Sequence, residues 1–508
     1  MPNEIQTESR RWFSENQLWA AVLAMVAVST GGCAERSVET TGRLTVAETP
    51  TEARAGDGRY ISWVEHRIDD EELGGIAIRG GDGLRSADFD RDGYPDFVSV
   101  HEDSDHVRIA FGTADPDEWE LVTLAEGAKV PAAEDADVSD LNGDGLIDVI
   151  VACEGGHFIY FQNPGETARS GEWPSVIPTV AARRGSFIRV SLADLDGNGD
   201  LEVIAANKGT DPTNEGVASE RPTTELSWFE VPDDPLRTDQ WEEHMLTRVR
   251  VPIIADPVDL DGDGDIDIVG GSRGESRIFW FENLGGMPPD FREHPIEIEG
   301  TSAAREAGDV HITGFALQFI DFSGDGRLDI VLAEMPTGAA MTRSGGEPPH
   351  PGVYWLEQPS DRNGGWKSHR IGDAGPDMVA GLQLADIDGD ADQDIVIGGY
   401  SLGPRLQDGE AVTAADPVGR VAWFENSGDP SRPWRRHDIS RRKRGMFDEF
   451  VPMDLDDDGD LDLVATRGNS AQFDGVFWLE QVRTEAPVAS FRPARAAESQ
   501  HMSLPPER

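Results

Sequence analysis

The apolar positions of this chain come in short runs and do not follow a helical rhythm. Runs such as Ile330-Val-Leu-Ala333 and Ile395-Val-Ile-Gly398 are bounded by acidic, glycine-rich turns, the signature of buried strands. One order of segments recurs seven times. A strand of small apolar residues leads into an acidic nine-residue segment, and a buried second strand follows. The third strand carries an aromatic-acid signature: Trp228-Phe-Glu, Trp280-Phe-Glu-Asn, Trp355-Leu-Glu-Gln, Trp423-Phe-Glu-Asn and Trp478-Leu-Glu-Gln. Tyr160-Phe-Gln-Asn fills that place in the second unit and Ala110-Phe-Gly in the first. A fourth strand carries Trp-x-x-His, as in Trp366-Lys-Ser-His369. Four strands per unit, seven units and no long helical period predict an all-β, seven-bladed β-propeller. The phase predicts how the ring closes. A fourth-strand motif, Trp63-Val-Glu-His66, precedes the first acidic segment, and the chain ends after a third-strand motif. Residues near 62–68 are therefore expected to supply the outer strand of the last blade.

The acidic segments begin at Asp88, Asp140, Asp194, Asp259, Asp321, Asp386 and Asp454. Positions 1, 3, 5 and 9 are the candidate metal ligands. They are Asp88, Asp90, Asp92 and Asp96, then Asp140, Asn142, Asp144 and Asp148, then Asp194, Asp196, Asn198 and Glu202. Next come Asp259, Asp261, Asp263 and Asp267, followed by Asp321, Ser323, Asp325 and Asp329. The last two sets are Asp386, Asp388, Asp390 and Asp394, and Asp454, Asp456, Asp458 and Asp462. Ca²⁺ takes six to eight oxygens at about 2.3–2.6 Å, and alternate side chains of a tight loop converge on one point. An EF-hand needs Glu at position 12 and flanking helices. Position 12 here is Ser99, Val151, Ala205, Gly270, Leu332, Ile397 or Ala465, so these read as calcium loops in β-hairpins, up to seven of them. Ser323 and Ala391, replacing an acid and a glycine, mark the fifth and sixth sites as weaker.

The Asp-Leu-Asp-Gly-Asp-Gly-x-x-Asp core with its Trp-Phe-Glu-Asn strand resembles the FG-GAP/VCBS repeats of bacterial surface proteins and integrin heads. The resemblance spans about residues 60–482. It implies a calcium-bearing propeller and leaves the activity open, since propellers host unrelated functions. The Trp-Phe-Glu-Asn and Trp-x-x-His features also look like the propeller part of the aldos-2-ulose dehydratase group.

Charge sharpens the picture. The chain of 508 residues has 96 Asp plus Glu against 44 Lys plus Arg, a net charge of -52. Phosphate contacts need Lys and Arg, so a nucleic-acid partner is excluded. A large share of the acid is placed at fixed loop positions and is not spread evenly over the surface. Without a cation these clusters of like charge should loosen the blades.

Residues 1–33 read as an export signal. The apolar stretch from Leu18 to Ser29 is too short to span a bilayer. Thr30-Gly-Gly-Cys33 at its end resembles a bacterial lipoprotein signal, which makes Cys33 the lipidation site. Ser9-Arg10-Arg11-Trp12-Phe13 resembles a twin-arginine motif. The expected layout is signal 1–33, tether 34–58, propeller 59–482 and disordered tail 483–508, with the protein lipid-anchored in the bacterial envelope, in the periplasm or at the cell surface. Cys153 then has no intramolecular disulfide partner.

The face opposite the calcium hairpins carries the loops after each second strand and before each first strand. Non-repeating residues there give the ligand-binding candidates His101, Lys208, Arg273, His311, Glu334, Tyr400 and Arg467. The run Arg441-Arg-Lys-Arg444 adds to a basic mouth that would suit an anionic or polyhydroxyl glycan. The repeated His66, His244, His294, His369 and His437 read as structural. No HExxH, GxSxG or phosphate loop is present. The favoured function is a calcium-stabilised binding or scaffold module for glycans or envelope proteins. The alternative is a lyase or dehydratase acting on acidic sugars at the mouth.

Overall fold

The computed structural model describes residues 43–209, 220–337, 349–362, 364–401 and 412–506. The export signal with Cys33, and parts of the long loops near 208–224, 335–351 and 400–418, lie outside them. Seven sheets form the blades around one axis, five of them built from four consecutive strands, and Val310–His311 pairs with Met335–Pro336 in a further two-stranded sheet. Inner strands run over Gly81–Ala87, Ala133–Ser139, Phe187–Ala193, Pro252–Val258, Leu317–Ile320, Met378–Ala385 and Phe450–Met453. They define blades I to VII. Second strands begin at position 9 of each acidic loop, as in Asp148–Cys153 and Asp267–Ser272, and are buried along their length. That burial is why they read as unbroken apolar runs.

The N-terminal strand Tyr60–Asp70 closes the ring. It pairs antiparallel with Gly475–Thr484 of blade VII, with His66 opposite Trp478. Blade V carries a fifth strand, Ile298–Glu299, parallel to Trp366–Asp373. Close approach between blades fixes some glycines: a Cβ on Gly398 would lie 1.9 Å from the Phe447 carbonyl oxygen.

The repeated motifs have separate structural uses. Each motif Trp stacks on the fourth-strand His, with ring centroids 3.9 Å apart for Trp355 and His369. In four of the five the motif Glu hydrogen-bonds that ring, as between His369 Nε2 and Glu357 at 2.7 Å. The motif Asn or Gln staples blades together. Asn283 Nδ2 donates to the Leu195 carbonyl of the preceding blade at 2.7 Å, and Gln481 Nε2 to the Ile387 carbonyl at 2.9 Å. The five repeated histidines are thus accounted for by packing against tryptophan and a neighbouring carboxylate.

Two parts of the expected layout are corrected. Residues 483–506, read as a disordered tail, pack onto blades VI and VII. Phe491 and Met502 are buried, and Phe491–Arg492 adds a parallel strand to Tyr60–Asp70. Residues 43–58, read as tether, pack beside them, with Val46 and Ala53 buried and the Val46 amide donating to the Met502 carbonyl. Composition misled here. Both segments are poor in large apolar residues, and they are held by backbone pairing, the C-terminal one also by the buried ion pairs of Glu498.

Candidate metal loops and the opposite face

The acidic loops share one conformation because each side chain is held by its own backbone. In blade IV the Asp259 oxygens accept from Asp263 N and Gly264 N, both at 3.1 Å. Asp261 Oδ1 also accepts from Asp263 N, and Asp263 Oδ1 from Asp265 N. The same pattern recurs in blades I, II, III, VI and VII. Position 9 is buried and ties the loop to two strands: Asp267 accepts from Leu260 N at 3.1 Å and from Asn283 N at 2.8 Å. Burial pushes these carboxyls up, to about 7 for Asp96, Glu202, Asp267 and Asp462 and to about 9 for Asp394. Carboxylate oxygens within 4.8 Å of one another form clusters that could hold a metal ion at Asp88, Asp90 and Asp96, at Asp194, Asp196 and Glu202, and at Asp259, Asp261 and Asp263. The donors are all hard oxygens, the set that Ca²⁺ takes.

The fifth and sixth loops keep the same frame despite their substitutions. Ser323 Oγ donates to Asp321 Oδ1 at 3.3 Å in place of an acid. Ala391 keeps the backbone of the glycines it replaces, at φ 78, and its amide still donates to Asp386. A left-handed alanine costs about 1 kcal/mol relative to glycine. Ala391→Gly is expected to raise the free energy of unfolding of metal-free protein by about that amount, read from the urea midpoint at unchanged slope.

The opposite face differs from the basic ring expected there. His101 is fully buried, 3.0 Å from Ser99 Oγ, and burial together with Arg108 lowers its pKa to about 3. Lys208 is buried in an ion pair with Glu154. His311 lies 3.1 Å from Ser276 Oγ, and burial and the charge of Arg273 lower it to about 4. Both imidazoles are therefore neutral at pH 7. Glu334 is buried, receives Ser302 Oγ at 2.8 Å and the Gly352 amide at 2.9 Å, and pairs with Arg305. Tyr400 bridges to Met446 through the backbone. Arg467 is buried 2.7 Å from Glu498. The run Arg441–Arg444 is also buried. Arg441 holds Asp377 with two contacts of 2.8 Å, and Arg442 holds Glu65 at 2.6 Å. Cys153 is buried as a free thiol, its pKa raised by burial.

What the sequence reading missed lies on the inner strands. Arg85 sits 3.4 Å from Asp135, 3.6 Å from Asp137 and 3.4 Å from Glu449, linking blades I, II and VII. Arg189 faces Glu134 at 3.8 Å. Burial raises Asp256 to about 7, against the pull of Arg189. Asp82, Glu102 and Glu134 form a further carboxylate cluster beside them. The available signal was strand alternation: positions three and five before each loop are apolar or small in some blades and ionisable in others.

The FG-GAP-like repeat family matches residues 140–205 and 259–332, which hold the acidic loops of blades II, III, IV and V. These two segments are similar to FG-GAP-like repeats. The other units carry the same loops in the same β-propeller. Two solved structures of BBS1N in complex with ARL6DN, soaked with lead and with mercury, align over 86% and 83% of this chain and 100% and 97% of their own, at 10% identity and a TM-score of 0.43. The biofilm matrix protein Bap1 of V. cholerae aligns over 84% of this chain and 92% of its own, at 11% identity and a TM-score of 0.37. No curated protein matches the chain.

Proposed function

We propose that this propeller is a calcium-stabilised binding or scaffold module, exported and lipid-anchored through Cys33 at a bacterial envelope. The observation that carries the calcium part is the repeated loop, in which hard oxygens from alternate positions converge in one backbone frame. A binding role is favoured over catalysis because His101 and His311, the histidines considered as bases, lie beside serine hydroxyls with pKa values lowered to about 3 and 4, which makes them weak proton acceptors. The ligand is a glycan or an envelope protein carried on the face opposite the loops. Arg441, Arg442 and Arg467, which suggested a carboxylate ligand, are spent on internal acids. Of the Asp82, Glu102 and Glu134 cluster only Glu102 is not buried, and this acidic group would repel an anionic sugar, so a neutral polyhydroxyl chain is the better candidate. Calcium-loaded protein on an array of neutral and acidic glycans should retain neutral polysaccharides, with retention lost in Glu102→Gln. A blank array, or release of unsaturated sugar from a uronate polymer, would overturn this reading.

A further inference from the structure

In two places the connection between the third and fourth strands of a blade sends an arginine onto the acidic loop of the preceding blade. Arg169, from blade II, contacts blade I at Asp90, at Asp92 (2.8 Å) and at Glu120 (2.8 Å), with its guanidinium 5.1 Å over Phe111. Arg362, from blade V, contacts blade IV at Asp261 (2.7 Å) and at Glu282. Asp90 and Asp261 both stand at position 3, and Asp92 at position 5. In each case a fixed positive charge is set against oxygens a bound cation would use. Arg237 and Arg432 occupy the corresponding connections of blades III and VI. They pair within their own segments instead, with Asp239 at 3.9 Å and Asp429 at 3.0 Å.

We propose that Arg169 and Arg362 set the cation affinity of the loops of blades I and IV by competing for the same carboxylates. This rests on the calcium reading of the loops. The physics is direct. A guanidinium within hydrogen-bond distance of a ligand carboxylate lowers that oxygen's charge density and repels a divalent ion a few ångströms away, so loading must displace it or bear the repulsion. The same contact cross-links two blades in the metal-free protein. Metal binding and the blade I–II and IV–V contacts are therefore coupled with opposite sign, and the seven loops fall into classes of unequal affinity. The arginines are positioning residues toward the metal, not ligands.

The test is a calcium titration by calorimetry, with melting curves in chelator, on the full chain. The proteins are the wild type, the double variant Arg169→Gln/Arg362→Gln and the control Arg237→Gln/Arg432→Gln. In the first double variant two sites should tighten by about tenfold, while the chelated melt falls by a few degrees as the cross-links go. The control should titrate and melt as the wild type. An unchanged or weakened isotherm in the first variant overturns the proposal. So does the same tightening in the control, which would make it a general charge effect. A wild type that takes up no calcium would sink the calcium reading itself, an outcome distinct from wild-type binding that the variant leaves unmoved.

Discussion

Stripping calcium is expected to lower the melting temperature by about 10–20 °C, the largest effect of any single treatment. Extracellular calcium sites bind at roughly 10⁻⁴–10⁻³ M. At millimolar calcium a site of about 0.1 mM affinity contributes about 1.4 kcal/mol. Seven such sites contribute about 10 kcal/mol, comparable with the whole stability of an ordinary domain. The pH dependence should invert with the metal. In metal-free protein the buried position-9 carboxyls are held above their unfolded pKa, at about 7 for Asp96, Glu202, Asp267 and Asp462. The folded state then binds more protons than the unfolded chain between about pH 4 and 7. The stability these carboxyls contribute is present below pH 4 and is lost as pH rises to 7. Chelated protein should thus melt higher at pH 5 than at pH 7.5. Calcium-loaded protein should do the reverse, because the ion favours the carboxylate. Scanning calorimetry at both pH values checks this, and a melt indifferent to chelator removes the calcium claim.

The second large effect concerns the C-terminal segment. Glu498 lies 2.7 Å from Arg467, 3.8 Å from Arg442 and 3.2 Å from Arg495, and both Arg442 and Arg467 are buried. Burial alone would raise the Glu498 carboxyl, but Arg467 and Arg442 hold it at about 2. Its contribution is therefore present above the ordinary carboxyl range and is lost as pH falls toward 2. Glu498→Gln leaves two buried guanidinium groups short of counter-charge. Removing one partner of a buried pair costs about 3–5 kcal/mol. Urea denaturation should show that loss for Glu498→Gln, whereas the exposed Glu485→Gln should stay within about 0.5 kcal/mol. Equal midpoints would mean that residues 485–506 contribute nothing to the fold. The segment also explains why the basic run Arg441–Arg444 is not available to a ligand: the Met502 amide donates to the Arg441 carbonyl and the Lys443 amide to the Gln500 carbonyl, so the tail lies across it.

The repeat was legible from sequence because its determinants are local. Position 1 of each loop accepts from amides four and five residues on, so Asp259, Asp263 and Gly264 specify their turn wherever they occur. The Trp-x-Glu-Asn strand opposite Trp-x-x-His is nearly as local, and it told blade number, strand order and the closing strand in advance. The opposite face was legible only in part. The sequence placed Arg467, Arg442 and Glu334 near one end of the ring, but their charges pair with groups far away in the chain. Arg442 meets Glu65, 377 residues distant, and Asp474 accepts from the Gly80 amide, 394 residues distant. Such pairs exist only once seven blades close and bring the two termini together.

By itself, then, the sequence determined the architecture, the acidic loops and the structural histidines, because spacing within about ten residues sets their geometry. Only the tertiary structure decided which charges remain free. Ring closure neutralised the basic mouth with Asp377, Glu65 and Glu498, ordered a tail that its composition marked as loose, and set Arg169 and Arg362 on the loops of neighbouring blades. A buried charge takes whichever partner the fold brings within reach, and no local pattern encodes that partner.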